Sequence, residues 1–86
     1  MQQTGQQATD AEVEMVTAML RIASDIDRLD QLSDQHPLPA SALRATPALL
    51  QTAEGLRARA EQTAHFKRCP VLRQLIEDDH QRRRNR

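Results

Sequence analysis

Aromatic side chains are almost missing from this chain of 86 residues, which has one phenylalanine and neither tyrosine nor tryptophan. Any core must therefore be aliphatic, and stacking platforms for nucleic-acid bases find no support. The single cysteine, Cys69, excludes an internal disulfide framework and agrees with a reducing compartment. With only two glycines there is no glycine-rich phosphate loop. No apolar run approaches the roughly 20 residues of a membrane span. The Gln-rich start, MQQTGQQA, lacks the apolar region of a secretory signal. The expectation is a soluble, intracellular protein, cytoplasmic or, in a eukaryote, possible in the nucleus.

Net charge is absent as well, because twelve basic and twelve acidic side chains cancel. They do not cancel locally. The first 35 residues carry seven acids against Arg21 and Arg28, a net of −5, and the remainder carries ten bases against five acids, a net of +5. Two elements of opposite sign suit side-by-side packing, although exposed pairs contribute only ~0–1 kcal/mol each.

What the chain does have is aliphatic periodicity. Thr9 stands three residues before Glu12, the spacing of a reciprocal helix cap. Beyond it Met15, Met19, Ile22, Ile26 and Leu29 are spaced 4, 3, 4 and 3, a heptad-like seam that predicts a helix over 10–35. His36-Pro-Leu-Pro39 ends it, since proline removes a backbone donor and restricts the residue before it. Ser41 to Ala45 allows one further turn. Thr46-Pro47 then supplies a cap and a first-turn proline for a helix over 47–68, whose inward positions are Leu49, Leu50, Ala53, Leu56, Ala60 and Ala64. Gly55 within it marks either a close contact or a weak point. Pro70 starts a third helix, over 70–80, with Val71, Leu72, Leu75 and Ile76 on one face. Residues 1–8 read as a disordered tail and 81–86 as a basic one, with Asp78–Arg82 and Asp79–Arg83 pairs where the last helix frays.

The expected fold is all-α: a long antiparallel, coiled-coil-like helical hairpin with a short third C-terminal helix, in one domain over 9–80. A turn near residue 41 places Glu12 and Glu14 opposite Lys67 and Arg68, and brings Asp25 to Arg57. Met15, Met19, Ile22, Ile26, Leu29, Leu49 and Leu56 are the expected seam of the hairpin or of a dimer. Leu20, Leu72, Leu75 and Ile76 are the expected contact with a partner.

Chemistry is harder to find. His65 and Cys69 share a helix face, but two ligands are too few for a structural zinc site. Asp78, Asp79 and His80 resemble acid and base groups, yet they sit at a charged chain end without apolar enclosure. No catalytic, cofactor or metal residues are assigned. The expectation is a non-catalytic protein–protein interaction module: an adaptor, assembly subunit, regulator or chaperone-like protein that offers an apolar helical face to a partner or to itself. The alternative is a small dimeric nucleic-acid-associated regulator, with Arg82, Arg83, Arg84 and Arg86 on phosphates.

Overall fold

The structure, a computed structural model, describes residues 8–35 and 45–85. Three helices account for nearly all of them: α1 (Asp10–Gln35), α2 (Pro47–Lys67) and α3 (Pro70–Arg84). Each start follows from local chemistry. The backbone N–H of Thr9 donates to Glu12 Oε1 at 2.9 Å while the N–H of Glu12 donates to Thr9 Oγ1 at 3.1 Å, so both orphan donors are satisfied reciprocally. At α2 the N–H of Leu49 donates to Thr46 Oγ1 at 3.2 Å, and Pro47 occupies the first turn, where no intrahelical donor is needed.

The reversal between α2 and α3 takes two residues. Arg68 turns left-handed at φ 53° and its N–H reaches the carbonyl of Ala64 at 3.0 Å, so α2 ends one residue before the expected Arg68. Cys69 is held extended by the following proline, and Pro70 opens α3. α3 in turn runs to Arg84 rather than stopping near His80. Nothing between 80 and 84 breaks a helix, arginine is a good helix former, and cations at the C-terminal end complement the helix dipole. The expected N-terminal tail, the 36–44 connection with its further turn, and Arg86 lie outside the described residues, except Ala8, which packs against the core.

α1 and α2 form the expected antiparallel hairpin. Lys67 Nζ lies 3.0 Å from Glu12 at one end, and Arg57 Nη2 lies 2.7 Å from Asp27 further along. The partner of Arg57 is thus Asp27 and not Asp25. Two residues amount to about 200° of helix rotation, so both cannot face α2. Ala53, Ala60 and Ala64 of α2 and Ala23 of α1 are buried, and these small side chains let the helices approach closely. α3 folds back across one face of the hairpin, where Leu72 is fully buried with Val16, Leu20, Ala60, Ala64 and Cys69. Ile26, Ala23 and Ala53 form a second, smaller cluster with Leu50 and Leu56 packed against it.

Candidate functional site

The inward line of α1 is Val16, Leu20, Ala23 and Ile26, rotated from the heptad seam that the spacing suggests. Of the seven expected seam residues only Ile26 is buried. Met19, Leu29 and Leu56 are half-buried, while Met15, Ile22 and Leu49 are 55%, 50% and 37% exposed. The reason is α3. A helix in a two-helix seam points its apolar stripe at one neighbour, whereas α1 has two and its most buried line lies between them. The partner-facing assignment changes for the same reason: Leu20 and Leu72 are core, and Leu75 and Ile76 are half-buried against that core.

Charged side chains follow a pattern the spacing did not reveal. Asp79, 1% exposed, sits where the three helices meet. Its Oδ2 accepts from Arg57 Nε at 3.1 Å and lies 3.2 Å from Arg83 Nε, and its Oδ1 accepts from Arg82 Nη2 at 3.4 Å. With the Arg57–Asp27 pair, one ionic network ties α1, α2 and α3 together. The expectation that Asp79 lies at an unenclosed chain end is therefore corrected. Asp79–Arg83 forms as the i,i+4 spacing implied, but Arg82 turns to Asp79 and Asp78 instead accepts from Gln74 at 2.9 Å. A signal was available: Asp79 falls in register with Leu72, Leu75 and Ile76, and Arg57 with Ala53, Ala60 and Ala64. A charge on each of two core stripes calls for a pair, because an unpaired buried ion is very costly. His80 Nε2 reaches Glu61 at 2.9 Å at the network's rim. Arg84 is exposed.

Two groups are electrostatically shifted. The Glu12 carboxyl is held below its usual range, first by the Thr9 backbone N–H and then by Lys67. The Cys69 thiol is lowered by backbone N–H groups of Ala8, then of Leu72 and Val71, the latter two in the first turn of α3. Cys69 is buried while His65, its expected companion, is exposed, and among the described residues no three His, Cys, Asp or Glu side chains converge as a metal ion requires. No described helix is long and apolar enough to cross a membrane.

The remaining candidate is a surface. α3 lies beside Thr17, Arg21, Ser24 and Arg28 of α1, with which Leu75, Asp78, Arg82 and Arg83 share two clefts. At 100° per residue Met15, Ile22 and Leu29 lie about 130° from that line across the outer side of α1, and about 100° beyond the side that meets α2. Arg57 and Glu61 of α2 meet α3, and Leu49 and Leu56 fall on the opposite flank. The hairpin therefore has one face closed by α3 and a second, apolar face that no described helix covers.

No family profile, curated protein or solved structure matches the chain.

Proposed function

We propose that this protein is a non-catalytic interaction module, a small adaptor or assembly subunit, whose working surface is the open face of the hairpin. The observation that carries the reading is the half-exposed pair Met15 and Ile22, with Leu29 continuing the same line one heptad on. Single exposed apolar residues need no explanation, but a line of them along two adjoining helices does. The contact thus moves from the expected Leu20 and Leu72, which the core uses, to the heptad residues.

The test is capture by the immobilised chain. Met15→Asp and Ile22→Asp should abolish retention of a protein partner while helix content by circular dichroism stays unchanged. Retention indifferent to both changes would remove this face from the function. Salt-sensitive retention on DNA, lost with the terminal arginines, would redirect the reading to them. Arg82 and Arg83 already lie against Asp79, which lessens the charge they offer outward.

A further inference from the structure

We infer that the cleft where Arg28 of α1, Arg57 of α2 and Arg82 and Arg83 of α3 converge is a binding site for a phosphate ion, free or as a small monoester. The cleft lies on the side that α3 covers, away from Met15 and Ile22, so the inference stands or falls independently of the interaction reading.

Two clefts run along the seam between α1 and α3, and their charges differ. The first sets Arg21 and Arg82 against Asp25 and Asp78, two of each sign. The second, of about 300 Å³, is walled by the four arginines and by one acid, Asp27. Asp79, the buried carboxylate that Arg57, Arg82 and Arg83 share, adds a second negative charge, which leaves four against two. Arg82 borders both clefts, and giving it wholly to the first still leaves the second positive, three against two. The excess is local to one end of the seam.

The acids also leave guanidinium donors without aligned acceptors. Arg57 Nη2 lies 2.7 Å from Asp27 and Arg83 Nε lies 3.2 Å from Asp79, yet neither buried nitrogen makes a hydrogen bond. Arg83 can therefore turn toward an incoming anion without forfeiting an aligned contact. Arg28 forms no ion pair among the described residues. The Arg57 side chain is only 10% exposed and pinned by its two carboxylates, so the floor of the cleft is fixed before a ligand arrives. Ser24 and Gln31 add neutral donors at the wall.

Geometry favours phosphate over a carboxylate. The arginines come from three helices, so their forks approach from different directions, and a tetrahedral anion has an oxygen for each. A planar carboxylate has two oxygens in one plane.

Calorimetric titration of the full chain with inorganic phosphate and, separately, with glycerol phosphate, in chloride buffer of matched ionic strength, tests the site. One saturable site per chain is expected. Arg28→Gln should weaken it about tenfold, the loss of one charge-assisted hydrogen bond. Arg28→Lys should recover only part of that, because it keeps the charge and loses the fork. Arg73→Gln, an exposed position on α3 outside the cleft, should leave binding unchanged. Arg83→Gln should weaken it as Arg28→Gln does, and if that variant unfolds, the exposed Arg28 carries the test alone. Tighter binding of the monoester would assign the site to an esterified phosphate, and tighter binding of the inorganic ion to the free one. Absence of saturable binding, indifference to Arg28→Gln, or an equal loss with Arg73→Gln, the mark of diffuse attraction, would overturn the proposal.

Discussion

The two faces of the α1–α2 hairpin use the same kinds of side chain to different ends. On the face that α3 covers, Leu20 and Leu72 are buried and a carboxylate, Asp79, is held among three arginines. On the opposite face Met15, Ile22 and Leu49 stay substantially exposed although they carry the more regular period. Regular heptad spacing therefore marks a line suited to a helical neighbour without saying that the neighbour belongs to the same chain. Burial is decided by where the third helix lands.

Substitutions can break this contrast, and the covered face should be the more sensitive. Leu72→Asp places an unpaired charge at a fully buried position, which should cost roughly 4 kcal/mol or more. A domain of this size holds only about 4–13 kcal/mol in all. Loss of the cooperative transition in urea is the expected outcome, and a folded variant would mean that α3 is dispensable. Asp79→Ala leaves Arg57 buried with Asp27 alone and should destabilise by about 3 kcal/mol, measured in the same titration. An effect near zero would show the network to be solvated. Gly55→Ala sharpens the comparison from the opposite sign. Nothing lies within 4 Å of an added Cβ, so Gly55 is the weak point and not the close contact, and alanine should stabilise by about 1 kcal/mol. Ile22→Asp, assayed at low concentration, should change stability by less than about 0.5 kcal/mol. A large loss would place Ile22 in the core of the single chain.

The smallest expected effect is on pH dependence. The Glu12 carboxyl is lowered in the folded chain, so its contribution is present above the ordinary carboxylate range and is lost as pH falls through the depressed value. Glu12→Gln should therefore lower the melting temperature slightly at neutral pH and leave it unchanged at strongly acidic pH. A difference that persists undiminished in acid would trace the effect to the capping hydrogen bond alone.

Much of the fold was legible because its signals are local. Thr9 with Glu12, Thr46 with Pro47, and Pro70 set three helix starts that involve residues at most three apart. The alanine line of α2 was also readable, since small side chains at helical spacing have few uses other than close approach. What failed was rotational. The reading put Met15 and Ile22 inside and Leu20 and Leu72 outside, because a period fixes the spacing of a stripe more firmly than its direction when apolar residues cover more than half of a helix. Val13, Val16 and Leu20 beside the heptad line gave α1 two candidate stripes, and only the position of α3 separates them. The candidate surface moved accordingly, from residues that α3 uses for packing to residues that it leaves bare.

The sequence by itself determined where helices begin, that small side chains line one stripe of α2, and that one short chain with a single aromatic side chain has little apolar material to spare. These are properties of neighbouring residues and of composition. The tertiary structure alone decided which stripe of α1 is interior, that Arg57 takes Asp27 and not Asp25, and that Asp79 is enclosed. Each of these depends on the angle at which α3 returns across the hairpin. That angle is set by a left-handed Arg68, a proline and the simultaneous packing of three helices, which no single segment encodes.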